Sequence, residues 1–166
     1  MATFSNIPDE WGRLDWSILQ NGWISLYWNK DVLATDLQWF EREQYTMAEL
    51  DCTTWNSEVE MHAQLRQCLS FPDYYGENWD ALSDCLSELE IPGAGYVVVF
   101  RGLNHLNTEW AHQLLDVFAR NARLQMLWGK RLIVLAQVDD ADYLISPVGA
   151  TPVMWNRAEW LEANRG

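Results

Sequence analysis

Glu77, Asp80, Asp84 and Glu88 follow one another at steps of three, four and four, the spacing that brings side chains to one side of an α-helix. A row of carboxylates so placed has three chemistries open to it. It can pair with the cations of a partner, gather a divalent metal, or supply the acid and base of a hydrolytic reaction. Like charges at these spacings cost about 0.2–0.5 kcal/mol per pair, against a domain stability of about 5–15 kcal/mol, so the fold tolerates the row easily. Glu77 and Asp80 are favoured by the dipole at a helix start, whereas Asp84 in mid-helix and Glu88 near its end are not. No Lys or Arg occurs between Arg66 and Arg101, so the row has no local counter-charge. Just ahead of it Tyr74-Tyr75-Gly76 places two aromatics and a flexible residue on a loop, the composition of a binding surface.

The elements that must position these residues follow from periodicity. Asn78 to Leu89 is expected as the helix, with Trp79, Leu82, Cys85, Leu86 and Leu89 on its packing side and Ser83 and Ser87 flanking the acids. Residues 57–69 are expected as a helix opened by a Ser57/Glu60 capping box and ended before Phe71-Pro72. Thr108 is expected to cap a long helix reaching about Trp128. The runs 96–100 and 131–138 are continuous and apolar, as in strands buried on both faces of a parallel sheet. Residues 23–28, 31–43 and 45–52 read as strand, helix and strand, a βαβ unit. Residues 1–22 read as irregular, and a short helix is expected from about Asn156. Strands alternating with helices give an α/β fold on a mainly parallel sheet.

A chain of 166 residues that is 49% hydrophobic, with eleven Trp, suits one packed domain. A formal net charge of −13 disfavours nucleic acid and anionic membrane as partners and favours a cationic protein. Cys52, Cys68 and Cys85 are scattered and odd in number, so they read as reduced thiols. The first residues lack a basic n-region and an apolar stretch, and no segment is long and apolar enough for a span. A cytoplasmic protein is expected. The Trp-rich N-terminal segment is expected to dock on the sheet through its aromatics.

The stretch FPDYYGENWDALSDCL closely resembles the central motif of the barstar family, small bacterial inhibitors of secreted ribonucleases. The resemblance extends through ELDCTTW and SEVEMHAQLRQCL upstream and more loosely through YVVVFRG, LLDVFAR and RLIVLAQV downstream, covering about residues 45–138. It implies a three-layer α/β fold, with residues 1–44 as a βα extension packed on the same domain and 139–166 as a tail with a short helix. It implies a non-enzymatic inhibitor, without cofactor or metal, that blocks a ribonuclease toxin through Tyr74, Gly76, Asn78, Trp79, Asp80, Ser83, Asp84 and Ser87. Asp84 would enter the nuclease active site where RNA phosphate binds, Asp80 would pair with a neighbouring cation, and Tyr74 would pack on a catalytic histidine. Three positions depart from the family pattern. Ser83 stands in place of a Trp, Glu88 in place of a glycine, and Arg120 aligns with an acidic residue of the third helix, which points to a different cognate toxin.

Other chemistries fit less well. Asp80 and Asp84 lie on one helix face rather than across a cleft, which argues against a carboxylate-dependent hydrolase. Glu77, Asp80 and Asp84 lack EF-hand spacing, and His62, His105 and His112 fall in no metal-binding pattern. An immunity protein for a toxin that is not a ribonuclease is the nearer alternative.

Overall fold

The computed structural model describes residues 2–166. Along the chain come α1 (Leu14–Leu19), β1 (Ile24–Tyr27), α2 (Lys30–Arg42), β2 (Thr46–Asp51), α3 (Glu58–Leu69), α4 (Trp79–Ser87), β3 (Tyr96–Arg101), α5 (Thr108–Leu127), β4 (Leu132–Gln137) and β5 (Met154–Trp155). The strands form one sheet in the order β2-β3-β4-β1-β5, and every pairing between them is parallel. Among the described residues no helix is long and apolar enough to cross a membrane.

Val97–Phe100 and Leu132–Ala136 are almost wholly buried because helices cover both faces of the sheet. On one face Met61 and Leu65 of α3, Leu82 and Leu86 of α4, and Leu114 and Phe118 of α5 pack on Val98, Phe100, Val134 and Ala136. On the other, Leu14 and Ile18 of α1 and Leu33 and Phe40 of α2 meet Val97, Val99, Ile133 and Leu135, with Trp23 and Trp39 packed at the margin.

Helix ends are set by short polar side chains. Ser57 Oγ accepts from the Glu60 amide at 3.3 Å, while the Glu60 carboxylate accepts from the Asn56 amide, one residue upstream of the usual reciprocal bond. For α5 the cap is Asn107 rather than Thr108: its Oδ1 accepts from the Trp110 amide at 2.8 Å.

Three further expectations are corrected. Residues 14–19 form α1, a helix too short for its apolar stripe to show as a period. β1 and β2 are parallel but not neighbours, because α2 carries the chain past β4 and β3 to the far edge. The helix expected from Asn156 is a single 3-10 turn at Glu162–Asn164. Ahead of it β5 is captured by β1, and both the amide and the side chain of Asn156 donate to the Leu26 carbonyl.

Two buried carboxylates tie the flanking segments down. Asp15 accepts from Tyr45 Oη at 2.6 Å and from Arg131 at 3.3 Å, and is paired with Arg13 at 3.1 Å. Glu159 accepts from the Trp28 and Asn29 amides at 3.1 and 3.0 Å and from Asn156 Nδ2 at 2.8 Å. Each takes a buried charge and saturates it with hydrogen bonds, the condition under which burial is tolerated.

Candidate protein-docking face

The α3–α4 loop sends its two tyrosines in opposite directions. Tyr75 turns inward, its hydroxyl bonded to His62 Nδ1 and its ring against Phe71, with ring centroids 5.1 Å apart. Tyr74 turns outward and is 77% exposed. The turn closes through the Tyr75 amide and the Pro72 carbonyl at 3.0 Å. Glu77 holds a left-handed backbone (φ 52°), a conformation unusual for a residue with a side chain and one that collects at functional loops.

Asn78 then starts α4. Its Oδ1 accepts from the Ala81 amide at 2.8 Å and its Nδ2 donates to the Gly76 carbonyl at 3.2 Å, so one side chain fixes both the loop and the first turn. A Cβ at Gly76 would sit 3.3 Å from that of Ala81, leaving little room there. Trp79 is half-buried with its ring edge-on to His62, centroids 5.6 Å apart. Burial lowers the His62 pKa, against the opposing pull of Glu58 and Glu77, and its Nε2 is buried without a partner. The neutral imidazole is thus the apolar floor of the loop.

Asp80, Asp84, Ser87 and Glu88 are exposed on the outer side of α4. Ser87 Oγ donates to the Asp84 carbonyl at 2.6 Å. The ion pairs of the described residues engage Asp15, Glu43, Glu49, Asp116 and Asp139, and none engages an acid of α4 or its loop. Asp80, Asp84 and Glu88 therefore stand along the outer side of α4 with no cation paired to them among the described residues. Glu77, expected on the same helical side, lies instead on the loop ahead of the Asn78 cap, its left-handed backbone taking it out of the helical register. On one flank a groove of about 510 Å³ opens between Tyr74, Glu88, Glu90 and Tyr96.

On the other flank α5 braces the helix. Asn121 Nδ2 donates to Ser83 Oγ at 3.1 Å, and Gln125 Nε2 donates to the Leu86 and Ser87 carbonyls, both at 3.2 Å, closing the C-terminal end of α4. Ser83 is accordingly half-buried in the seam between the helices. Arg120 is paired with Asp116 at 3.0 Å on the exposed side of α5. Cys85 is buried beneath the row. Burial first, then the charges of Glu88 and Asp84, raise its thiol pKa, which keeps it protonated filler.

The structure thus gathers Tyr74, Gly76, Asn78, Asp80, Asp84 and Ser87 on one exposed surface, with Trp79 and Ser83 turned partly inward from it. Sequence reasoning missed the supports, His62, Tyr75, Asn121 and Gln125. Asn121 and Gln125 did leave a trace, being two amides four residues apart amid the apolar residues of α5. Among the described residues no three His, Cys, Asp or Glu side chains gather as a metal site.

The family described as Barstar (barnase inhibitor) matches residues 45–138, more than half of the chain, and this span holds every residue of the candidate docking face. The chain belongs to the barstar family. It is 40% identical over 63 residues to YrdF of Bacillus subtilis (strain 168), named as a candidate ribonuclease inhibitor; the match covers 37% of this chain and 68% of that protein. Among solved structures, a chain in the Drosophila ORC bound to AT-rich DNA and Cdc6 aligns with a TM-score of 0.48 and 16% identity, over 96% of this barstar-family chain and 50% of its own length. A likeness at that level carries no functional argument.

Proposed function

We propose that the protein inhibits a basic bacterial ribonuclease toxin by laying α4 and its preceding loop across the toxin's active site. The unpaired carboxylates of α4 carry this reading. A helix that leaves its acids without internal cations is preorganised for a partner that brings them, and such pairs gain strength once water is excluded. The family's type complex, barnase with barstar, is itself the reference case for coupling between close interfacial charges. Asp84 and Asp80 stand in for RNA phosphates, Tyr74 supplies the exposed aromatic contact, and Ser87 extends the surface toward the helix end. Gly76, Asn78, Trp79 and Ser83 act mostly by holding that surface in shape. Residues 1–44 and 139–166 complete the same domain rather than form units of their own. The producing cell would keep the inhibitor in its cytoplasm as immunity to its own toxin.

Ser83, Glu88 and Arg120 favour a cognate nuclease other than the archetypal one, and they leave room for a toxin of another activity with an equally cationic cleft. The deciding experiment is RNA cleavage by a panel of small basic bacterial ribonucleases with and without the protein. Stoichiometric inhibition of one of them, lost with Asp84→Ala, is expected. Inhibition that survives Asp84→Ala would sink the assignment of the face, and no inhibition across the panel would sink the ribonuclease as target.

A further inference from the structure

Several large apolar side chains are exposed on this protein, as on any soluble surface, and three of them share one helical side. Leu124, Leu127 and Trp128 are 54%, 68% and 71% exposed and stand at the spacing of one helical side at the end of α5. Their place relative to α4 follows from the braces. Asn121 and Gln125 point at Ser83, Leu86 and Ser87, so α4 and α5 run side by side in the same direction. Stepping about 100° per residue, Trp128 lies close to the Asn121 direction, and Leu124 comes next toward solvent. Leu127 lies beyond them, beside Arg120. The strip therefore borders the Ser83–Ser87 edge of the carboxylate row with no element between.

We propose that Leu124 and Trp128, with Leu127 at the rim, form an apolar half of the docking surface, seated on an apolar shoulder beside the partner's cationic cleft. This rests on the inhibitor reading above. The charge pattern selects the occupant. A second copy would bring another −13 chain and its carboxylate row against the first. A basic protein would meet Asp80 and Asp84 with its cations and the strip with its flank. Arg120, beside Leu127, is already neutralised by Asp116, while Arg123, exposed and in no ion pair among the described residues, lies beyond Leu127 on the side away from the carboxylate row. The strip also supplies, from α5, the exposed aromatic area that Ser83 withholds from α4. Trp is the side chain most enriched among residues that dominate interface energies.

The test uses the full chain and the ribonuclease that it inhibits in the panel, comparing Kd and rates for Trp128→Ala, Leu124→Ser, Asp84→Ala and a control at an isolated exposed leucine, Leu144→Ser. Trp128→Ala and Leu124→Ser are each expected to raise Kd about tenfold or more, chiefly through faster dissociation. The midpoint of thermal unfolding and the salt dependence of association should not move, and Leu144→Ser should have no effect. Unchanged Kd for both strip variants, with binding lost in Asp84→Ala, overturns this inference and leaves the α4 reading standing. If Asp84→Ala is also without effect, or no ribonuclease is inhibited, that reading falls and takes this one with it. Sedimentation of the protein alone adds a further arm: a dimer dissociated by Trp128→Ala would assign the strip to a second copy and overturn the proposal.

Discussion

Asp84 is the residue on which the proposed function concentrates, being exposed at the centre of the row with its carboxylate in no ion pair among the described residues. Its backbone carbonyl, by contrast, accepts from Ser87 Oγ and the Glu88 amide. Replacing it with Ala should leave unfolding unchanged and weaken inhibition by about 30-fold or more, since the partner's cations lose their charge in a desolvated contact. Glu162→Ala, exposed in the tail, should change neither quantity. Inhibition titrations of the two variants check this. His62 gives a second prediction at this scale. Its folded pKa lies below the ordinary value of about 6.5, so the unfolded chain takes up the proton first as pH falls. Stability should therefore be complete above about pH 6.5 and decline below it until the lowered folded value is passed. Urea unfolding across that range should show the decline, and His62→Gln should remove its part of it. Parallel profiles for the two proteins would contradict a buried neutral imidazole. None of this protonation behaviour was legible in the sequence, where His62 is one of three scattered histidines whose burial depends on Tyr75 and Trp79 folding over it.

Among elements, α4, β3 and β4 were the most readable, because amphipathic spacing, the Asn78 cap and continuous apolar runs are local signals. What could not be read locally was who neighbours whom. Nothing in residues 31–43 says that α2 will carry the chain across two strands, and nothing in residues 154–155 says that β1 will recruit them. The brace between α5 and α4 belongs to the same class. Gln125 serves as an end cap for a helix some forty residues away, a job that sequence spacing does not reveal. Gln125→Leu keeps the bulk but leaves the Leu86 and Ser87 carbonyls without this donor. It should cost about 1–3 kcal/mol in denaturant unfolding, and should loosen the end of α4 enough to weaken inhibition without touching an acid. An unchanged amide-exchange rate at the end of α4 in that variant would contradict the bracing role.

For the whole molecule, charge and topology act at different ranges. The net charge of −13 should draw in a basic partner from a distance. Raised salt is therefore expected to slow association far more than it speeds dissociation, and a stopped-flow association rate indifferent to salt would contradict this. Topology makes the N-terminal segment indispensable. β1 lies between β4 and β5, and α1 and α2 cover Val97, Val99, Ile133 and Leu135. A chain lacking residues 1–44 should expose that face and aggregate. Asp15→Ala, which leaves Arg131 facing an emptied site, should cost about 3–5 kcal/mol in urea unfolding of the full-length protein. The position of β1 also has a consequence in time. Tyr27 is synthesised long before its sheet partner Gln137, and the β5 segment follows later still. At about 5–20 residues per second, the first strand waits on the order of ten seconds for its neighbour. Until then the nascent β1 has no strand to join, and α4, on the opposite face of the sheet from α1 and α2, is held by no finished scaffold. A nascent chain halted before β4 thus lacks the sheet on which α4 is built, and on the proposed reading it gives no partial inhibitor.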